Sequence, residues 1–241
     1  MGTTQISSAV VRAARTLARN ADTLQFTPPV THGYNPLVYA RAGHEAYLRR
    51  FCNSSKRILF LGMNPGPWGM TQTGVPFGEV HAVTGWMGLR EPVAAPSTPH
   101  PNRPIEGFDC PRSEVSGRRL WGLFAERFGE PEAFFADHFV VNYCPLVFMG
   151  ETGRNITPNK IPAAEITPLS NLCDTHLRAV VGTLQPEWLV AIGGFAEKRI
   201  HSVFGDEAQV ARILHPSPAS PAANRDWAGT ATRQLEEQGV W

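Results

Sequence analysis

With 241 residues, 42% of them apolar, and a formal net charge of +1, the chain can bury a full core, and its near-neutral balance excludes a molecule-wide basic surface. No run of eighteen apolar residues occurs and no basic head precedes an apolar stretch, so the reading is a soluble intracellular protein with no membrane partner: cytoplasmic and nucleoid-associated in a bacterium, nuclear in a eukaryote. Cys52, Cys110, Cys144 and Cys173 are scattered without a C-x-x-C pair, which excludes the common zinc and cluster spacings and leaves buried thiols as the expectation.

In chain order, residues Ser7 to Leu24 carry Val10, Val11, Ala14, Leu17 and Ala18 at helical spacing, with Arg12, Arg15 and Arg19 opposite them. After the Pro28-Pro29 break, Ala40 to Phe51 reads as a second helix, and residues 1–55 are expected to pack as N-terminal helices on a sheet built by the rest of the chain. Arg57 to Leu61 is a short apolar run that reads as a buried strand. The chain then changes character. Gly62, Gly66, Gly69, Gly74 and Gly78 alternate with Pro65, Pro67 and Pro76, which predicts an irregular, turn-rich wall with few side chains to bury. Its first polar side chain is Asn64, either a turn cap or a group at the mouth of a site.

The prolines of residues 91–111 predict a long surface excursion. A helix is expected from Ser113 to Phe128 with Ser113 as N-cap, and Arg112, Arg118 and Arg119 near its start are either solvated or suited to phosphate. A second buried strand, Phe139 to Tyr143, delivers Asn142 at its end, and a polar loop runs from Phe148 to Pro162. A helix over residues 167–184 precedes a third strand, Glu187 to Ile192, closed by Gly193-Gly194, which points to tight packing more than to a phosphate cradle. Phe195 to Phe204 is a further helix. The last strand, Gln209 to Leu214, ends at His215 and a proline-studded loop, before a closing helix over residues 222–238. Alternating strands and helices predict one α/β domain over residues 1–241, a four-stranded parallel sheet flanked by helices on both faces, with Asn64, Asn142 and His215 at one rim.

Two amides and an imidazole, with no second acid and no nucleophile elbow, do not make a protease, an esterase or a two-carboxylate glycosidase. Amides match the donor–acceptor edge of a nucleobase, a neutral His can donate to an oxygen gaining negative charge, and Phe77 can stack on a flat ring or simply fill core.

The residues G-M-N-P-G-P-W-G-M-T-Q-T-G-V-P-F-G from Gly62 to Gly78, N-Y-C-P-L from Asn142 to Leu146 and H-P-S-P from His215 to Pro218 closely resemble the single-strand-selective monofunctional uracil-DNA glycosylases. S-E-V-S-G at Ser113 to Gly117, G-R-N-I-T-P at Gly153 to Pro158 and A-N-x-x-W at Ala223 to Trp227 extend the similarity over nearly the whole chain after Cys52. The resemblance implies the uracil-DNA glycosylase fold and excision of uracil and 5-substituted uracils such as 5-hydroxymethyluracil from single- and double-stranded DNA, leaving an abasic site in base excision repair. It implies that Asn64 positions the attacking water and that His215 stabilises the departing uracil anion at O2. Asn142 would read the base edge, Phe77 would stack on the flipped base, and Met63 with the space around Gly66 would face the 5-position. The loop containing Pro216, Ser217, Pro218, Ala219, Ser220 and Asn224 resembles the family's duplex wedge, although Ala219 and Ser220 stand where vertebrate members carry a bulkier, basic side chain. No strand-end lysine is present to form a Schiff base, and neither metal nor cofactor is implied. A monomer suffices. A damaged-DNA binder without catalysis and a hydrolase of free nucleosides remain the competing readings.

Overall fold

The computed structural model describes residues 3–241. The N-terminal part comprises α1 (Thr3–Asp22), β1 (His32–Tyr34), α2 (Pro36–Tyr39) and α3 (Arg41–Phe51). The middle of the chain forms β2 (Ile58–Gly62), α4 (Met70–Thr73), α5 (Val115–Phe128), α6 (Pro131–Asp137), β3 (His138–Asn142), β4 (Val147–Met149) and β5 (Asn155–Ile156). The remainder comprises α7 (Ala163–Leu184), β6 (Trp188–Ile192), α8 (Gly194–Phe204), β7 (Val210–Ile213) and α9 (Pro221–Glu237). No helix among the described residues is long and apolar enough to cross a membrane.

Strands β3, β2, β6 and β7 form a parallel sheet in that order, with Gly62 in register with Asn142. Every residue of β2 and β3 is buried, as a strand covered on both faces requires. Helices α8 and α9 pack on the β6–β7 side and α6 on β3, while α1 lies chiefly against α7. The apolar stripe of α1, from Val10 to Ala21, joins the same continuous core as the sheet.

Three expectations change. The glycine-rich stretch contains a helical turn, α4, and Thr71, Gln72, Thr73, Val75, Phe77 and Glu79 are all buried in or after it, so it is a packed element rather than a bare wall. Gln72 explains this: its Oε1 accepts from Glu106 and Gly107 N–H at 2.9 and 3.0 Å, tying the segment to the proline-rich excursion. The polar loop after Phe148 is partly strand, since β1, β4 and β5 form a small antiparallel sheet whose members are distant in sequence. Ser113 is not the N-cap of α5; the helix starts one residue later, after Glu114, and no side chain caps it.

Candidate active site

The carboxyl ends of β2, β3 and β7 open onto one cleft of about 450 Å³, lined by Met63, Asn64, Phe77, Asn142 and His215 among others. Three side chains that sequence spacing placed on separate strands therefore share a single cavity. Backbone bonds extend the β2–β3 ladder past its end, Tyr143 N–H to Gly62 O at 3.0 Å and Cys144 N–H to Met63 O at 2.8 Å, which holds the two asparagine-bearing segments side by side.

Gly62 is a glycine because two neighbours occupy its side-chain space. A Cβ there would lie 2.4 Å from Asn142 Oδ1 and 2.5 Å from Phe77 Cε2. Phe77 is itself held in a left-handed backbone conformation, φ 52°, which a non-glycine residue adopts only when its surroundings impose it. The constraint is visible: its carbonyl accepts from Trp121 Nε1 at 3.0 Å and from Glu79 N–H at 2.7 Å. Gly117 of α5 permits the approach, for a Cβ at that position would fall 2.1 Å from the Phe77 oxygen. Asn142, 8% exposed, donates through Nδ2 to Met70 Sδ at 3.4 Å, and its Oδ1 is buried without a partner. An unmet buried acceptor costs about 1–3 kcal/mol, so an incoming N–H would be favoured there.

Asn64 donates through Nδ2 to Leu146 O at 3.2 Å and Pro65 O at 3.3 Å, which turns its Oδ1 away from both carbonyls. His215 Nδ1 accepts the Ser217 N–H at 3.1 Å, so a neutral ring carries its proton on Nε2 as a donor. Burial lowers the His215 pKa from its ordinary 6.5, favouring that neutral form. Gly193, φ 90°, lets the β6 end close on the ring, with a Cβ there only 3.1 Å from His215 Cβ, so the glycine pair serves packing. The residue before His215 is pinned as well: Leu214 O accepts from Trp227 Nε1 at 2.7 Å, and its N–H donates to Gln234 Oε1 at 2.7 Å.

Residues 49–236 match the family profile described as Uracil DNA glycosylase superfamily. The single-strand selective monofunctional uracil DNA glycosylase of Bos taurus is 47% identical over 220 residues, 90% of this chain and 81% of that protein. Its counterpart in Mus musculus is 46% identical, covering 90% of this chain and 79% of that one. The chain belongs to the single-strand selective monofunctional uracil-DNA glycosylase family of this superfamily. The fold also matches the crystal structure of wild-type Pedobacter heparinus SMUG2, with TM-score 0.61, 15% identity, and coverage of 93% of this chain and 94% of that one.

In this glycosylase-family chain the loop after His215 is tied down by side-chain hydrogen bonds. Arg119 donates to Pro216 O at 3.0 Å and to Asn224 Oδ1 at 2.8 Å, while Asn224 Nδ2 donates to Pro218 O at 2.8 Å. Ser217 and Pro218 reach the cleft; Pro216 is buried beneath the loop, and Ser220 accepts from Ala223 N–H at 3.4 Å as the N-cap of α9. Among the sequence-derived site residues, Pro216, Ala219, Ser220 and Asn224 stand outside the cleft lining. Arg119 is thus a fastener of this loop, whereas Arg112 lies over the Trp68 ring at 4.4 Å, with Arg103 at 5.1 Å.

Two features escape a reading by spacing. Trp68, Ser113, Ser116, Asn155 and Thr157 also line the cleft, the last two because β5 is carried there by the small sheet. The second is an acid where none was expected. Glu114 lines the cleft, and its carboxyl fills the space beside Gly66, where a Cβ would be 1.9 Å from Oε1; the expected vacancy at Gly66 is therefore occupied. Desolvation, and then the nearby Glu79 carboxylate, push the Glu114 pKa up to about 7. The one sequence signal for it was the unexplained S-E-V-S-G string at Ser113 to Gly117.

Proposed function

We propose that this chain hydrolyses the N-glycosidic bond of deoxyuridine in DNA, flipping the base into the cleft and leaving an abasic site for base excision repair. The observation that carries the reading is the convergence of Asn64, Asn142 and His215 on one cavity, beside an aromatic ring held in a constrained conformation. Phe77 stacks on the extruded pyrimidine, and Asn142 offers Oδ1 to N3–H and Nδ2 to O4. His215 Nε2–H donates to O2 as negative charge gathers on the departing uracil, and Asn64 Oδ1 accepts a hydrogen bond from the water that attacks C1′. Extruding a base costs a few kcal/mol of lost stacking, less from single strands.

The relatives' names speak of uracil and single-strand selectivity; uracil-containing DNA, single- and double-stranded, is accordingly the proposed substrate of this chain as a monomer. 5-Substituted uracils, 5-hydroxymethyluracil among them, belong to the proposed substrates, and a 5-substituent would meet the Glu114 carboxyl that fills the space beside Gly66. No lysine lines the cleft, in keeping with simple hydrolysis without a lyase step. Arg112 and Arg118 are exposed near the cleft and make no ion pair among the described residues, which suits them to phosphates.

Incubating the purified protein with a uracil-containing oligonucleotide should produce an alkali-labile site that EDTA does not prevent. Asn64→Ala should slow release by about 10²–10³-fold, since positioning of the nucleophile is lost, while thermal stability stays unchanged. Release from deoxyuridine but not from DNA would replace this reading with a free-nucleoside hydrolase, and tight lesion binding without release would replace it with a binder.

A further inference from the structure

A carboxamide keeps nearly the same outline when it is turned over, yet its two ends do opposite things: Oδ1 accepts and Nδ2 donates. In the proposed pose Asn142 meets the edge of the base with both. Uracil offers N3–H as a donor and O4 as an acceptor, whereas cytosine, of almost the same shape, offers N3 as an acceptor and its amino N–H as a donor. An amide free to turn would suit either base. Whatever fixes the Asn142 amide therefore decides which pyrimidine edge the cleft accepts.

Among the described residues this side chain makes a single hydrogen bond, from Nδ2 to Met70 Sδ at 3.4 Å. Its Oδ1 is buried without a partner and stands beside Gly62, where a Cβ would lie 2.4 Å from it and 2.5 Å from the Phe77 ring. A thioether has lone pairs and no proton, so it accepts and never donates. Turned over, the amide would set Oδ1 against the lone pairs of Sδ and lose the one bond it has. The sulfur thus favours a single orientation.

The backbone that carries the sulfur is fixed. Met70 is 3% exposed and is the first residue of α4, with its carbonyl accepting the Gly74 N–H at 2.8 Å. Thr71, next to it, donates through Oγ1 to Gly66 O at 2.8 Å, and its own carbonyl accepts from Tyr39 Oη at 2.8 Å. A cavity of about 20 Å³ is lined by Met70 and Asn142 together with His44, His176 and Tyr47. None of those three competes for the amide. His44 Nδ1 pairs with Gly74 O at 2.8 Å, Tyr47 donates to Val140 O at 3.0 Å, and His176 Nε2 has no partner.

We propose that Met70 is a positioning residue for base selection: its sulfur holds the Asn142 amide with Oδ1 toward the base, which admits the N3–H edge of uracil and repels the bare N3 of cytosine. One Nδ2 hydrogen serves the sulfur, and the other remains for O4. Facing cytosine, the same amide sets oxygen against N3 and N–H against the amino group, two mismatched pairs in a poorly solvated site. Thymine and other 5-substituted uracils share the edge of uracil, so Met70 does not sort them. This role rests on the glycosylase reading of the same cleft and concerns only which base edge it takes.

The test is binding to three single-stranded oligonucleotides, identical except that one nucleotide is the 2′-fluoro analogue of deoxyuridine, deoxycytidine or thymidine. Fluorine withdraws electron density from the sugar, disfavours its cation and so keeps the glycosidic bond intact. Wild-type protein should prefer the uridine strand to the cytidine strand. Met70→Leu conserves volume and removes the lone pairs, so it should reduce that preference by about three- to tenfold, the worth of one hydrogen bond between neutral groups. The preference between the uridine and thymidine strands should stay within about twofold of its wild-type value, because both bases present one edge to the amide.

A uridine-over-cytidine ratio that Met70→Leu leaves unchanged overturns the proposal. A parallel change in both ratios overturns it as well, since loosened packing alone would relax the two together. If Met70→Leu does not fold, Met70→Gln decides: glutamine both donates and accepts, so it holds the amide in either orientation and the uridine-over-cytidine preference should fall, and a retained preference overturns the proposal. Wild-type protein that releases no uracil from a deoxyuridine strand and binds the three analogues alike refutes the glycosylase reading itself. Release by the wild type, with a uridine preference that survives in Met70→Leu, leaves that reading standing and removes Met70 from it.

Discussion

Gly62→Ala isolates the proposed base clamp from the hydrolytic groups. The glycine backbone is not in the left-handed region, so alanine fits the strand, and the whole effect comes from one methyl group. That methyl would stand 2.4 Å from Asn142 Oδ1 and 2.5 and 2.7 Å from two Phe77 ring carbons. Ordinary contact lies at about 3.5–4 Å, so each side chain must retreat by roughly 1 Å. Both obstructing groups are side-chain ends, which can yield by rotating at about 0.5–1.5 kcal/mol each. Against this, alanine restricts the unfolded chain more than glycine and returns about 0.4–1 kcal/mol. The net loss is on the order of 1 kcal/mol, or about 2–4 °C in melting temperature for a chain of this size. Catalysis should suffer far more, because a displacement of about 1 Å in groups that orient the substrate costs on the order of 10²-fold in rate. Single-turnover release from a uracil oligonucleotide, run beside a thermal melt, separates the two effects. A variant that melts as expected yet releases uracil within threefold of the wild-type rate would falsify the claim that Asn142 and Phe77 grip the base beside Gly62.

His215→Leu should lower the release rate by about 10²-fold through loss of the Nε2 donor, and should leave the Ser217 N–H without its acceptor; quench-flow release and melting measure the two consequences. Arg119→Ala unties Pro216 and Asn224, so KM on duplex uracil should rise several-fold while kcat on a single strand holds; equal loss on both would argue that Arg119 acts beyond the loop. His44, His138 and His176 are held neutral by burial, their pKa values lowered from 6.5 to about 4. A histidine depressed in the fold protonates first in the unfolded chain, so stability present above pH 6.5 should drain away as pH falls toward 4, by up to about 3 kcal/mol for each ring. Denaturant titrations at pH 7, 5.5 and 4.5 check this, and a flat stability across that range contradicts it.

Buried groups therefore push the stability of the fold in two opposed directions with pH. The buried histidines favour the folded chain above pH 6.5, whereas ionising Glu114, its pKa pushed up to about 7, weakens the fold. A group kept at some cost to stability inside a substrate-sized cleft is characteristic of sites built for reaction.

The strands at residues 58–62, 138–142, 188–192 and 210–213, and the polar side chains that succeed or end three of them, were legible from the chain alone. Apolar runs bounded by glycine and proline are local signals: they depend on residues adjacent in sequence and on the backbone limits of those two residue types. Strand order, the small sheet formed by β1, β4 and β5, and the approach of Glu114 to Gly66 and Gly69 depend on segments far apart in the chain, which no local pattern encodes. The left-handed Phe77 backbone and the His215 tautomer are likewise decided by partners, Trp121 Nε1 and the Ser217 N–H, that only folding brings into reach. Sequence by itself thus determined which side chains arrive at the rim of the sheet; tertiary packing alone decided how they face one another and that an acid stands among them, because hydrogen bonds and burial act through space.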